Sequence, residues 1–503
     1  MHWADAFIQK IEGPQVISTG ISPSGPIHVG NMREILTGDI VFRAARSKGL
    51  PVKFIFLSDD IDPLRKVYPF LDESFREHVG KPLYEIPSPK GEGTYADHFM
   101  APFRDSLEKL HIQVEILRSS QLYESGKFYE VIKTAIAEKD RIARILREVS
   151  GRELEENWFP YSPKCSSCGK INQATATSFT DPYVSYNCKC GHSGKSDIRK
   201  GEGKLPWRVE WPAKWHLLGV TIESFGKDHG SAGGAYDSGK RIVEEVFGTP
   251  APSYLIYERI LLKGEGAMHS STGIVIESSE ALRFMPPESL RFLIARNSPL
   301  RHIEFDPKDF YLNFMDDYEK YFNAYFKKDT VSDPDLDAVV RYSSLEKPVG
   351  PIEPSYRHLV TLVQIYPDEK KLLHGLSLGG YAAKNIAGEM GDRIALVKYW
   401  LDNYAPESIK FSLLPRGTEV KLETAEQDIL KEFLSQAESL NWTAQSIHDS
   451  VRSISLKDGG EPMTAFRAFY RVLIGKDRGP RLGFFLSEMD KKWVIDRLGE
   501  CLS

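Results

Sequence analysis

The segment between residues 16 and 62 constrains the fold of this chain more than any other part of the sequence. Val16 to Thr19 is a short strand, followed by a loop, 20–26, too rich in glycine and proline for regular structure. A helix follows, with apolar residues three and four positions apart, and then a second strand, Val52 to Ser58. This order is the beginning of an α/β fold, in which we predict a Rossmann-like doubly wound parallel sheet.

The loop before this helix has the composition of a phosphate-binding site. Gly20, Gly25 and Gly30 allow backbone to approach a ligand closely, and the helix that follows Asn31 points its first N–H groups at that ligand. His28 stands at the same place and could donate to a phosphate oxygen. The alternative is a tight turn that carries a surface histidine.

Three acids follow the second strand, at Asp59, Asp60 and Asp62. The carboxyl ends of strands are where open α/β sheets bind their ligands. These acids could bind a cationic group or hydroxyls of a substrate, and the alternative is a solvated acidic loop.

The residues Pro26-Ile27-His28-Val29-Gly30-Asn31 resemble the first signature of class I aminoacyl-tRNA synthetases. Together with Gly20-Ile21-Ser22-Pro23-Ser24-Gly25 they resemble, more narrowly, class I lysyl-tRNA synthetases. The fourth signature position is Asn31, where the general signature has histidine. The resemblance implies ATP-dependent activation of L-lysine, with Mg²⁺, and its transfer to the 3′ end of tRNA(Lys).

A second part of the chain, 207–229, strengthens this resemblance. Trp207, Trp211 and Trp215 lie within nine positions, and they are either core residues or an aromatic wall for a lysine side chain. Gly226-Lys227-Asp228-His229 resembles another step of the same family. A strand is predicted over Tyr254 to Leu262, with Tyr257 in the wall of a pocket.

The loop from Lys263 to Gly273 lies where the family has its second signature. Met268, Ser270 and Ser271 match that signature, but Ala267 and Thr272 stand in place of its two lysines. The remaining cations are Lys263 and His269. Either serine hydroxyls, backbone amides and Lys263 stabilise the charge on the phosphates, or activation is weak and the protein has another role.

The resemblance implies the following site residues. The catalytic set is His28, Asn31, Lys263, Ser270 and Ser271. The ATP-binding set is Pro26, His28, Gly30, Asn31, Asp228, Met268, Ser270 and Ser271. The lysine-binding set is Gly20, Ser22, Asp59, Asp60, Asp62, Trp211, His229 and Tyr257.

Four of the five cysteines lie between Cys165 and Cys190. The pattern Cys165-x2-Cys168, nineteen residues, Cys188-x-Cys190-x-His192 predicts a tetrahedral and structural Zn²⁺ site. Its fourth ligand is either Cys190 or His192. Five cysteines in 503 residues are no disulfide framework, so a reducing, cytoplasmic location is expected.

Charge and hydropathy argue against two classes of protein, those that bind nucleic acid by gross charge alone and those that span a membrane. Lys and Arg number 65 against 70 Asp and Glu, a net charge of −5, which argues against binding nucleic acid by gross charge alone. No apolar run reaches the ~18 residues of a membrane span, so no membrane partner is predicted. Residues 1–15 lack the apolar core of a secretory signal.

The C-terminal third is predicted to be helical, and five basic residues between Arg467 and Arg481, beside Phe469 and Tyr470, suit unstacked RNA bases. The predicted domains are a first catalytic half, 1–80, an inserted connective region with the zinc site, 81–204, a second catalytic half, 205–262, a signature loop and stem-contact connection, 263–335, and an α-helical anticodon-binding domain, 336–503.

The alternative functions are a synthetase for another amino acid, with glutamate the nearest, and a tRNA-binding paralogue that does not ligate. The sequence leaves the oligomeric state open and slightly favours a monomer.

Overall fold

The computed structural model describes residues 1–502, apart from residues 152, 156, 269–274, 328–332, 347–349, 379–388 and 458–461. The chain forms two compact units. The first contains Met1–Leu282, Pro287–Phe305 and Val331–Val349, and the second contains Arg283–Pro286, Asp306–Thr330 and Gly350–Ser503.

A five-stranded parallel sheet forms the centre of the first unit, in the order β10-β9-β1-β2-β3. Its strands are β1 (Gln15–Ile21), β2 (Val52–Ser58), β3 (Glu115–Arg118), β9 (Ile222–Gly226) and β10 (Ser253–Tyr257). The helices of this unit are α1 (Trp3–Gln9), α2 (Val29–Ser47), α3 (Tyr95–Lys109), α4 (Ser119–Glu124), α5 (Tyr129–Ala137), α6 (Lys139–Ser150), α7 (Trp207–Leu218), α8 (Lys227–Gly230), α9 (Ala235–Glu245), α10 (Ser278–Ala281), α11 (Pro287–Ala295) and α13 (Leu336–Ser343). The predicted doubly wound sheet is confirmed.

The strand order places a topological switch beside β1. The chain passes from β1 to β2 and β3 on one side of the sheet, whereas β9 and β10 are added on the other side. Ile17 of β1 pairs with Phe54 of β2 and with Ile222 of β9. Open α/β sheets bind ligands outside the carboxyl ends of the strands at such a switch, so the site is expected where β1 and β9 end.

An inserted segment between β3 and α7 carries the cysteines. Its strands are β4 (Ser162–Pro163), β5 (Ala174–Thr180), β6 (Tyr183–Cys188), β7 (Ser193–Asp197) and β8 (Gly203–Lys204). Strands β5, β6 and β7 form an antiparallel sheet, and β4 pairs with β8. Buried side chains of this segment, such as Ile171 and Val184, belong to one hydrophobic cluster with Ile55 of the central sheet. The insertion is therefore packed against the central sheet's core.

The predicted strand over Tyr254 to Leu262 is wrong in its extent. It is divided into β10 and a separate strand, β11 (Ile260–Leu262), which belongs to a second sheet with β12 (Gly266–Ala267) and β13 (Ile303–Phe305). The N–H of Glu258 donates to the carbonyl of Pro299 at 2.8 Å, so the backbone changes partner between the two strands.

The second unit is a helical bundle, as predicted for the C-terminal third. Its helices are α12 (Tyr311–Lys327), α14 (Tyr356–Ile365), α15 (Glu369–Leu378), α16 (Glu389–Asn403), α17 (Thr424–Ala437), α18 (Ala444–Ser455), α19 (Pro462–Ile474), α20 (Leu482–Ser487) and α21 (Lys491–Glu500). Leu430, Phe433, Val451 and Phe469 lie in its core. Among the described helices of the chain, none is long and apolar enough to cross a membrane.

Candidate active site

His28, Gly30 and Asn31 meet at the start of α2. The N–H of His28 donates to Oδ1 of Asn31 at 3.1 Å, and the side chain of His28 is buried. A Cβ on Gly30 would lie only 2.9 Å from two atoms of the His28 ring, so the ring can occupy this place only beside a glycine. The predicted phosphate-facing group thus lies at the N-terminus of a 19-residue helix, whose positive dipole end favours anions.

Residues on both sides of the segment 269–274 lie against this helix start. The buried Met268 comes within 3.7 Å of the position that a Gly30 Cβ would occupy. Beyond the segment, the N–H of Val29 donates to the carbonyl of Ile276 at 2.9 Å. The two signature segments therefore adjoin, although Ser270 and Ser271 lie outside the described residues.

The remaining predicted ATP-binding and catalytic residues within the described part of the chain are Pro26, Lys263 and Asp228. Pro26 lies in the loop between β1 and α2. Lys263 is exposed in the turn between β11 and β12, and its N–H donates to the carbonyl of Phe305 at 3.0 Å. Asp228 of α8 forms an exposed ion pair with Arg259.

The three acids after β2 form ion pairs with cations of the chain itself. Lys214 pairs with Asp59, Arg118 with Asp60 at 2.6 Å, and Lys204 with Asp62. Asp60 is fully buried, so the alternative of a solvated acidic loop is wrong. Because these carboxylates already have cationic partners, they are weaker candidates for binding substrate than the sequence indicated.

Glu210 of α7 joins two of these pairs into one network. Its carboxylate lies 2.7 Å from Nζ of Lys204 and 3.7 Å from Nζ of Lys214. Five alternating charges result, which we call the ion-pair network: Asp62, Lys204, Glu210, Lys214 and Asp59. Burial alone would lower the pKa of Lys204, but the neighbouring carboxylates raise it above its ordinary value. Ser22 is tied to this network, since its hydroxyl donates to Asp62 at 2.5 Å.

Glu34 is a functional candidate that the sequence did not single out. One oxygen accepts the N–H of Gly20 at 2.7 Å, and the other accepts the hydroxyl of Tyr257 at 2.9 Å. Burial raises the pKa of Glu34 to about 7. Two predicted lysine-binding residues, Gly20 and Tyr257, are therefore held by one buried carboxyl group at the end of β1.

Glu223 of β9 holds Trp211 in the same way, and the ring of Trp211 in turn lies beside His229. Nε1 of Trp211 donates to Glu223 at 3.0 Å, and the ring of Trp211 lies 5.8 Å from that of His229. Burial raises the pKa of Glu223 to about 8. Trp207 stacks on Trp211 at 5.8 Å, while Trp215 is fully buried, so the aromatic wall and the core are formed by one helix face.

The sequence contained weak signals for both glutamates. Glu34 comes three residues after Asn31, which places it on the same side of α2 as the loop. Glu223 is a lone acid within a buried strand, three residues before the Gly226 that begins Gly226-Lys227-Asp228-His229. A carboxyl group in such a place is costly unless it is partnered or used.

The cysteine cluster has a geometry that could hold a metal ion. The sulfur atoms of Cys165, Cys168, Cys188 and Cys190 all lie within 4.8 Å of one another. Gly169 and Gly191 have φ values of +71° and +90°, and each lets the chain turn directly after a cysteine. Nε2 of His192 instead lies 3.0 Å from the hydroxyl of Ser166. Four thiols fit a tetrahedral Zn²⁺ site, and the structure favours Cys190 over His192 as the fourth ligand.

Comparison with known proteins gives one consistent family. The family model described as tRNA synthetases class I (K) matches residues 1–346. Lysine–tRNA ligase of Picrophilus torridus is 47% identical over 503 residues, with 100% of this chain and 99% of that protein covered. Lysine–tRNA ligase of Thermoplasma acidophilum is 49% identical over 498 residues, with 99% and 98% covered. Among solved structures, a glutamate tRNA ligase from Elizabethkingia meningosepticum matches 97% of this chain and 99% of that chain, with 14% identity and a TM-score of 0.42.

Proposed function

Since the chain belongs to the class I (K) family of tRNA synthetases, we propose that it is a lysine–tRNA ligase, which activates L-lysine with ATP and esterifies it to tRNA(Lys). The observation that carries the choice of amino acid is the pair of neighbouring glutamates, the half-buried Glu34 and the buried Glu223, beside the aromatic wall of α7. Two carboxyl groups that lie close together favour an ammonium and disfavour a second carboxylate, so they fit lysine better than glutamate. The names of the full-length relatives agree with this choice.

In this proposal Glu34 and Glu223 provide the negative charge that binds an ammonium group of lysine. Trp211 covers its aliphatic chain, and Tyr257 and the N–H of Gly20 fix the orientation of Glu34. The ion-pair network acts indirectly, because Ser22 links Asp62 to the loop that follows β1. Asp59, Asp60 and Asp62, which the sequence predicted to bind lysine, instead support the residues that bind it.

At the start of α2, His28 binds a phosphate oxygen of Mg²⁺–ATP, and the positive end of the helix dipole favours the same anion. The lysine carboxylate attacks the α-phosphate, a bond to phosphorus forms, and pyrophosphate leaves. No covalent enzyme intermediate is needed, so these residues act by positioning the reactants and stabilising the developing charge. Asn31 supports His28 through the hydrogen bond to its backbone N–H. Met268, Ser270, Ser271 and Lys263 complete the predicted phosphate site.

The affinity for lysine should increase with pH. Because burial raises the pKa of Glu34 to about 7 and that of Glu223 to about 8, each holds a proton over part of the range below pH 8. Binding an ammonium favours the ionised carboxylates and so releases protons. We expect the KM for lysine to fall between pH 6 and pH 8, measured by charging of tRNA(Lys).

The variant Glu34→Gln tests the proposed role of Glu34 in binding lysine. Loss of a charged, buried hydrogen-bond acceptor should raise the KM for lysine roughly 10- to 100-fold and should flatten its pH dependence. Glu108→Gln, on the exposed face of α3, is the matched control and should behave as the parent. An unchanged KM in Glu34→Gln would remove this residue from the lysine site.

The four cysteines are proposed to hold one structural Zn²⁺, since four protein ligands leave no position for a reacting group. Metal analysis should find about one zinc per chain, and Cys165→Ser should lose it and make the insertion sensitive to protease. Cys501→Ser, outside the cluster, is the control. A Cys165→Ser protein with full zinc content and unchanged protease resistance would contradict the structural role.

The remaining assignments follow from the family. The segment 336–503 is proposed to bind the anticodon, and the protein is proposed to act in the cytoplasm, where the thiols stay reduced.

Incubation of the protein with ATP, Mg²⁺, tRNA(Lys) and labelled lysine should give acid-precipitable, alkali-labile label. Labelled glutamate in place of lysine should give none, and the reverse result would overturn the choice of amino acid.

A further inference from the structure

Helix α3 contacts the loop 22–28 between β1 and α2, which we call the first-signature loop. Tyr95, the first residue of the helix, is fully buried, and its hydroxyl donates to the carbonyl of Ser24 at 2.8 Å. The carbonyl of Ser22 accepts the N–H of Ser24 at 2.7 Å, so the loop turns tightly at this point. Ser24 stands between Ser22, a predicted contact of lysine, and His28, the predicted contact of phosphate. The hydroxyl of Tyr95 therefore holds the middle of a loop whose two ends are predicted to meet different reactants.

The same helix contacts the segment 276–278, which follows the second signature. The hydroxyl oxygens of Ser106 and Ser278 are 3.1 Å apart, and both side chains are buried. Ser106 also donates to the carbonyl of Pro102 at 2.8 Å, one turn back in α3. Because a hydroxyl carries a single proton, Ser278 is the donor in the bond to Ser106. A second polar contact thus ties α3 to the segment 276–278.

The segment 276–278 is itself paired with the first-signature loop. The N–H of Ser278 donates to the carbonyl of Ile27 at 3.0 Å. Glu277 is the partner of His28 in an antiparallel bridge between the two stretches of backbone. The backbone position of His28 therefore depends on where the segment 276–278 is held, and α3 holds the last residue of that segment.

Both contacts come from one face of a single helix. Tyr95 and Ser106 are eleven positions apart, close to three turns at roughly 3.6 residues per turn, so they lie on the same side of α3 and about 16 Å apart along its axis. The middle of the helix is packed on the central sheet, where the ring centroids of Phe103 and Phe56 are 5.1 Å apart. The sheet and the helix thus give both contacts one common support.

We propose that Tyr95 and Ser106 are positioning residues for adenylate formation, which hold the first-signature loop and the segment 276–278 in fixed relative positions through α3. Neither side chain touches a reactant. Together they fix the distance between the lysine bound near Ser22 and the phosphates bound near His28, and small errors in such a distance are costly to the rate. The inference rests on the proposed function, which supplies the reaction that needs this distance.

Single-turnover adenylation at saturating ATP and lysine, with tRNA(Lys) present, tests the proposal on the full chain. Tyr95→Phe keeps the buried ring and removes only its hydroxyl, and Ser106→Ala removes the acceptor of the Ser278 hydroxyl. Each should lower the rate roughly 3- to 10-fold, as expected for the loss of one hydrogen bond. The KM for lysine should change less than about twofold, because the lost contact acts on the reacting geometry and not on the affinity.

Ser343→Ala and Tyr311→Phe are the matched controls. Ser343 is a buried serine of α13 that donates to the carbonyl four residues before it, as Ser106 does. The buried Tyr311 of α12 donates to the carbonyl of Phe284 at 2.7 Å. Both controls should keep the adenylation rate of the parent. Parent-like rates in Tyr95→Phe and Ser106→Ala, or an equal loss in the controls, would overturn the proposal.

The contact between α3 and the segment 276–278 has a test of its own. Ser278→Ala should lower the adenylation rate about as much as Ser106→Ala does. The double variant should be no slower than either single variant, since both substitutions remove the same hydrogen bond. Losses that multiply in the double variant would mean that the two hydroxyls act separately, and the positioning role of Ser106 would be wrong.

Hydrogen exchange separates this proposal from the proposed function, because it needs no substrate. The backbone amides of residues 24–32 and 275–283 should exchange faster in Ser106→Ala than in Ser343→Ala, since the paired segments lose part of their support. If the parent protein charged no lysine, the proposed function would fail, while the exchange comparison would still decide whether α3 holds these segments. Equal exchange in the two variants would contradict the inference.

Discussion

Replacement of His28 by alanine should lower the rate of lysyl-adenylate formation on the order of 10²–10³-fold, as the loss of one positioned donor does in other enzymes. The ring lies at the N-terminus of α2, against Gly30 and close to Met268 of the second signature segment. Its effect belongs to the transition state, so kcat should fall while the KM for lysine changes little. Single-turnover adenylation with saturating tRNA present measures this, and the thermal midpoint should stay near that of the parent.

Gly30→Ala gives an independent check of the same geometry. Its Cβ would lie 2.9 Å from the His28 ring, so the ring must move and the rate should fall. In a His28→Ala background the same substitution should add little, because the displaced group is already gone. Gly499→Ala is the control, since no atom lies within 4 Å of its new Cβ. Full adenylation activity in His28→Ala would remove the phosphate-binding role.

Replacement of Lys204 by methionine should lower the free energy of unfolding of the first unit by about 3–5 kcal/mol, the usual cost of removing one partner from a buried ion pair. Asp62 and Glu210 would remain buried without the cation that both contact. Urea unfolding, followed by hydrogen exchange of the backbone amides of the first unit, measures this loss. The loop that carries Ser22 should also become more sensitive to protease.

Two further variants make this prediction specific. Lys200→Met removes an exposed lysine four residues away, 3.8 Å from Asp197, and should cost less than about 1 kcal/mol. Adding Asp62→Asn to Lys204→Met should restore part of the stability, because it removes one of the two uncompensated charges. If Lys204→Met and Lys200→Met unfolded at the same urea concentration, the network would not contribute as the structure indicates.

The sequence was sufficient for the parallel sheet and for the glycine loop that leads into α2. Apolar periodicity and the glycine loop are local signals, and they determined β1, α2 and β2 to within a few residues. The cysteine spacing likewise predicted the cluster, but it left the fourth ligand open between Cys190 and His192, which are two positions apart. Only the path of the backbone after Cys188 showed that Cys190 joins the group and that His192 contacts Ser166.

The partners of buried charges could not be read from the sequence. Lys204 and Lys214 are separated from Asp62 and Asp59 by more than 140 residues, and no local pattern connects them. The sequence therefore indicated that the acids after β2 bind a cationic group of a substrate, although lysines of the chain itself pair with them. For the same reason Glu34 and Glu223 were missed, since their importance depends on burial beside residues from other strands.

We propose that Glu34 of α2, Trp211 of α7 and Glu223 of β9 together select lysine for activation. The most direct measurement is ATP–pyrophosphate exchange with each of the twenty amino acids, carried out with saturating tRNA(Lys) present. We expect exchange that depends on lysine, with glutamate at background, and a strongly reduced lysine-dependent rate in Glu34→Gln at subsaturating lysine. Exchange that depends on a different amino acid, or no exchange with any of the twenty, would contradict the assignment of lysine as the substrate.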